Sequence, residues 1–170
     1  MRGVYNNFPQ TIHLIESFSS TLSIKQLQQN FIQTLKDINR KPFHFEEIAI
    51  PTIPNSEVIF EFGLAEDNEF SFINEEIIEK ALEALNVKSM QTLDFFCVIR
   101  YYKVSVEKKK ALKFDYYMLR SNFAARIVEF QVFHKQGPRY ISPEDLIVLI
   151  VQRINERLQP KNALKKSEPF

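Results

Sequence analysis

The sequence predicts a single α+β domain, with helices packed on one face of a mostly antiparallel, twisted sheet. Three observations lead there. Short stretches of alternating apolar and polar residues recur along the chain, as half-buried strands require. Three longer stretches carry apolar residues at helical spacing behind cap-forming residues. The connections between them are short, and none has the composition of an interdomain linker. A chain of 170 residues with 45% hydrophobic and 25% charged residues can bury a core of its own.

The first strand is "TIHLIESF" at 11–18. "LSIKQLQQNFIQTLKDINRK" follows, with Ser23 as N-cap and Leu27, Phe31, Leu35 and Ile38 on one helical face. Lys36, Arg40 and Lys41 suit the negative end of that helix's dipole. "FHFEEIAI" at 43–50 reads as a strand, ended by Pro51 and Pro54. Residues 57–64 and 69–73 bracket "AEDN" as a hairpin. Asn74 caps "EEIIEKALEAL", whose acids lie in the first turn where the dipole favours them. Strands at 92–104, 111–120 and 126–134 come next. The last helix opens on Ser142 and Pro143 and runs to Leu158. Its segment "LIVLIV" covers nearly the whole circumference, so burial is expected. The resulting order is β-α-β-β-β-α-β-β-β-α. A long apolar C-terminal helix held by a curved sheet resembles a helix grip. Residues 1–160 form the expected domain, and 161–170 a loose tail.

Composition excludes several chemistries. Only Gly3, Gly63 and Gly137 occur, where average usage would give about twelve glycines. Phosphate-cradling loops need clustered glycines, so P-loop and Rossmann sites are ruled out and no cofactor is expected. One cysteine, Cys97, forms no internal disulfide, and no His/Cys tract has zinc spacing. No G-x-S-x-G or H-E-x-x-H signature occurs, so the sequence nominates no catalytic residue. The N-terminus lacks a signal-peptide core and no apolar run is long enough to span a bilayer. A cytoplasmic protein without membrane contact is expected.

Charge is polarised. Residues 44–87 hold eleven acids (Asp67 among them) and one base, whereas residues 97–140 hold ten bases and three acids. Within the latter, "CVIRYYKVSVEKKKALKFDYYML" reads as a hairpin turning at Glu107–Lys108. In that register Tyr101 faces Phe114, Ile99 faces Tyr116 and Cys97 faces Met118 on an apolar side. Tyr102–Lys113, Arg100–Asp115 and Val98–Tyr117 form the exposed side. Asp115 and Glu129 on the exposed side argue against a nucleic-acid platform there, because acids repel phosphates.

The end of the hairpin is the candidate site. Antiparallel topology returns the strand at 126–134 to it, which gathers Lys103, Lys108, Lys109, Lys110, Lys113, Lys135 and Arg139. Such a tip would dock an anionic partner, either RNA or an acidic protein surface, and the acidic segment 44–87 would allow self-association through complementary charge. Lysines also keep exposed loops soluble and edges unpaired, and that plain role competes with docking. His134 and Tyr140 mark a possible pocket beside the tip. His44 and Glu46 share a strand face, but two ligands make no metal site.

The alternative reading is a carrier or sensor of an apolar small molecule, held among the sixteen phenylalanines. An enzyme whose groups converge only in the fold ranks third. The primary expectation is a non-catalytic binding module.

Overall fold

The structure, a computed structural model, describes residues 3–66 and 68–167. Among them are three α-helices and nine strands: β1 (Leu14–Ser19), α1 (Ile24–Ile38), β2 (Pro42–His44), β3 (Ser56–Glu66), β4 (Glu69–Phe72), α2 (Glu75–Val87), β5 (Thr92–Val104), β6 (Lys109–Ala111), β7 (Asp115–Ala124), β8 (Ile127–Gln136), α3 (Pro143–Arg157) and β9 (Lys165–Lys166). The strands form one antiparallel sheet in the order β2-β3-β5-β7-β8-β1-β9, with β4 added to β3 and β6 to β5. This is the expected α+β class.

The helices start where their caps say. Ser23 and Gln26 form a reciprocal capping box on α1, Asn74 accepts from the Ile77 amide, and Ser142 accepts from the Asp145 amide ahead of α3. All three helices send apolar residues into one core. Phe31 on α1 is its hub, edge-on to Phe95 at 5.2 Å and Phe123 at 6.3 Å and stacked with Phe130 at 5.9 Å. From α3, Leu146, Ile147, Ile150 and Ile154 are fully buried, while Val148 faces outward. The apolar run therefore leaves one strip of the helix wet.

Two segments depart from expectation. "FHFEEIAI" is a strand only through His44, because Phe45 turns inward and starts a 3-10 turn over Phe45–Glu47. The expected loose tail is docked as far as Ser167. Leu164 is buried, the Asn155 side chain both donates to and accepts from its backbone, and β9 pairs with β1. One apolar anchor with two hydrogen bonds is enough to hold such a short segment. Glu168–Phe170, like Asp67 of the acidic segment, lie outside the described residues.

The sheet's other face is partly covered by the segment before β1. Gly3 bridges the splayed ends of two strands, donating to the Ala65 carbonyl and accepting from the Asp94 amide. Tyr5 and Phe8 then cover a pair on neighbouring strands, Asp94 and Arg120. His13 stacks on Phe133 at 5.0 Å.

Candidate functional site

The hairpin differs from the expected register by two local events. Its turn lies at Val106–Glu107, one residue early, since Val104 pairs with Lys109 and Ser105 bonds to Lys108. An extra residue is then accommodated between Ala111, opposite Tyr102, and Asp115, opposite Ile99. This bulge inverts the faces of β7. Asp115, Tyr117 and Leu119 point into the core, while Tyr116 and Met118 pass to the outer face with Phe96 and Val98. Arg100 therefore does not pair with Asp115; its partner is Glu61 at 2.7 Å.

Asp115, fully buried, organises the base of the tip. Its Oδ1 accepts from the Arg139 amide at 2.6 Å and from His134 Nε2 at 2.9 Å; its Oδ2 accepts from the Tyr101 hydroxyl and from the Tyr140 amide at 3.0 Å. The Tyr101 oxygen accepts in turn from the Ile141 amide, and the Tyr117 hydroxyl donates to the Ile141 carbonyl. His134 faces Tyr117 in the regular register of β7 and β8, and a second bulge, at Lys135, follows it so that Gln136 faces Tyr116. The structure thus unites His134 and Tyr140, the expected pocket pair, around a carboxylate that the sequence placed on the wet face.

This cluster fixes the connection to α3 rather than opening a pocket. Burial and the Asp115 hydrogen bond push the Tyr101 hydroxyl far above its ordinary range, and burial does the same for Tyr117. Cys97 beside them is also pushed up, by burial and then by Asp115, which is the reverse of what a thiolate nucleophile needs. His13, whose Nδ1 accepts from the His134 amide, is shifted down by desolvation and by Arg139 and His134.

Gly137 is required here. Its φ is +114°, and a Cβ would overlap the Phe114 carbonyl oxygen and the Asp115 carboxylate. Gly137→Ala is expected to lower stability by about 1–3 kcal/mol, measured by urea denaturation.

The seven candidate cations all lie where β5 ends, β7 begins and β8 ends, but on two tiers. Lys113 lines a shallow groove with Phe114, Gln136, Gly137 and Pro138, and Lys135 Nζ sits 5.4 Å from the Tyr116 ring centre. The Arg139 side chain is exposed beside His13. Lys108, Lys109 and Lys110 project farther, with Lys103 directly opposite Lys110, four residues along β5 from Ile99 and so about 13 Å beyond the Asp115 rung.

Lys109 Nζ lies 2.6 Å from Glu57 Oε2, a charge contact without hydrogen-bond geometry. Glu61 is shared by Arg100 and Arg40, the latter at 3.5 Å. Adjacent strands thus neutralise part of the acidic segment internally, which leaves less of it for self-association.

The phenylalanine rings of the core pack on one another. A cavity of about 190 Å³ lies instead between α2 and the sheet, lined by aliphatic residues such as Ile32, Leu64, Ile77, Ala81 and Leu85, with Ser71 and Lys80 among its polar groups. Glu46 shares an open groove with His44 and Lys103, and His13 is elsewhere, on Phe133. Among the described residues no three His, Cys, Asp or Glu side chains group as a metal site would need, and no helix is long and apolar enough to cross a membrane. Comparison with protein-family models, with curated proteins and with solved structures gives no match for this chain.

Proposed function

We propose that this protein binds a polyanionic partner through the lysine-bearing end of its sheet. The observation that carries the reading is the rung of Lys103 opposite Lys110, two exposed lysines directly across an antiparallel pair. Like charges directly opposite destabilise a hairpin, where a favourable cross-strand pair would contribute roughly 0.2–1 kcal/mol. Lys108 adds a third exposed charge at the turn, and Glu107 is the nearest acid in sequence. An anion bound across the rung converts this repulsion into attraction.

The test uses Lys108→Glu with Lys110→Glu, and Lys36→Glu on α1 as a control of equal charge type. The tip variant is expected to elute from heparin at clearly lower salt than wild type, while the control shifts little. Relief of the Lys103–Lys110 repulsion should leave the tip variant's thermal stability equal to wild type or slightly higher. Unchanged elution of the tip variant, with the fold intact, rules out the proposal.

A further inference from the structure

The outer face of the sheet beside the lysine end carries a row of aromatic rings, of which the expected register had turned Tyr116 and Phe114 inward. Phe70 and Phe72 point the same way from β4, opposite Ala65 and Gly63. Gly63 has no side chain to fill that place, and a Cβ there would overlap the Phe96 ring. Phe96 therefore lies against the sheet and forms a floor. Phe70 and Phe72 meet it edge-on at 5.2 and 5.0 Å, and Tyr116 stacks on it at 5.5 Å. Phe72 is 47% exposed and Phe114 37%, large values for rings in a chain that buries most of its phenylalanines. Cations flank them, with Lys135 against Tyr116 and Arg100 5.9 Å from Phe114.

We infer that this face stacks the bases of a single-stranded nucleic acid whose phosphates the lysine end holds. The inference rests on the polyanion reading and names the partner class. Rings also serve protein–protein interfaces, but there they fill apolar pockets of the partner, which an acidic surface does not offer. A duplex keeps its base faces stacked inside and has none to offer. Single strands present both a phosphate chain and free π-faces, and rings on a sheet between cations match that pairing.

Most acids near this face are turned away or paired, while Glu107 at the turn and Glu69 at the start of β4 stay exposed. Asp115 is turned into the core, Glu61 is held by Arg100 and Arg40, and Glu57 is in contact with Lys109. Glu129 is seven residues along β8 from Gln136, the partner of Tyr116, and so about 23 Å away. The N-terminal segment covers the end of this face over Asp94 and Arg120 and lays Tyr5 on Phe70 at 4.6 Å, which leaves Phe72, Phe114 and Tyr116 as the open part of the row.

The experiment measures fluorescence anisotropy of the full chain with a labelled 12-nucleotide oligouridylate and with a duplex of equal length. Heparin elution is run in parallel. Wild type should prefer the single strand. Phe72→Leu with Tyr116→Leu keeps the apolar cover but removes the π-faces. This pair should weaken single-strand binding by about tenfold or more and leave heparin elution unchanged. Lys108→Glu with Lys110→Glu should weaken both. Equal binding of duplex and single strand, or an unaffected Phe72/Tyr116 variant, overturns the stacking inference and leaves the polyanion reading standing. Binding of poly-glutamate without oligouridylate also overturns it. Absence of retention on either support overturns both.

Discussion

The Asp115→Ala variant will melt about 6–20 °C below the wild-type protein, because it loses about 3–5 kcal/mol of stability. The carboxylate is the common acceptor for two backbone amides, a tyrosine hydroxyl and an imidazole. Alanine leaves the Tyr101 hydroxyl without its acceptor in a site closed to water, together with the Arg139 and Tyr140 amides. Arg139 is itself held at φ +59°, in the left-handed region that non-glycine residues avoid, and its amide bond to Asp115 helps to keep it there.

Tyr101→Phe gives the graded comparison. It removes one donor to Asp115 and one acceptor for the Ile141 amide, and should cost about 1–2 kcal/mol. Differential scanning calorimetry of both variants checks the order. Equal melting points for Asp115→Ala and wild type would show that the four donors do not depend on the carboxylate.

Why Asp115 escaped a reading of the sequence is a matter of parity. "FDYYMLRSNFA" is apolar in both registers over its first half, so Phe114, Tyr116 and Met118 look as fit for the core as Tyr117 and Leu119. The second half is less ambiguous, since Leu119 and Phe123 alternate with Arg120 and Asn122. Reading the strand backwards from Phe123 would have turned Asp115 inward. A bulge has no sequence mark as plain as a helix cap, and one extra residue is enough to exchange the faces.

Local chemistry was legible where it is self-contained. Ser23 with Gln26, Asn74, and Ser142 with Pro143 each satisfy amides within one turn of themselves, so tertiary context does not alter them. The sequence places phenylalanines two apart at Phe60 and Phe62 and at Phe70 and Phe72, and this pattern was only half legible. Phe60 and Phe62 fill the core, while Phe70 and Phe72 have the same spacing on the outer face. Period-two alternation shows that two rings share a face. Which face depends on the strand's partners, here a glycine and an alanine on β3 that leave room outside. The Leu164 anchor was missed for a similar reason, because one apolar residue among polar ones forms no periodic signal.

Arg120→Met should cost about 3–5 kcal/mol in urea denaturation, more than the loss of an exposed ion pair could explain. Arg120 and Asp94 face each other across β5 and β7, joined by Nε to Oδ1 and a terminal nitrogen to Oδ2, both at 2.8 Å. Asp94 is fully buried, and the pairing raises Arg120 above its already high range. Methionine keeps the apolar stem but leaves the buried Asp94 carboxylate, among the described residues, with the Tyr5 amide as its one remaining donor. The cost therefore comes from an orphaned charge. It follows that Asp94→Leu added to Arg120→Met should recover most of the loss, leaving about 1 kcal/mol for the unpaired Tyr5 backbone groups. The double variant should thus be more stable than the single one, with a coupling of roughly 2 kcal/mol or more in the cycle. If the pair instead stabilised the fold by direct attraction, removing both partners would cost at least as much as removing one. The segment from Gly3 to Phe8 is held to the sheet through this pair, so amide exchange at Tyr5 should accelerate in both variants even where global stability returns.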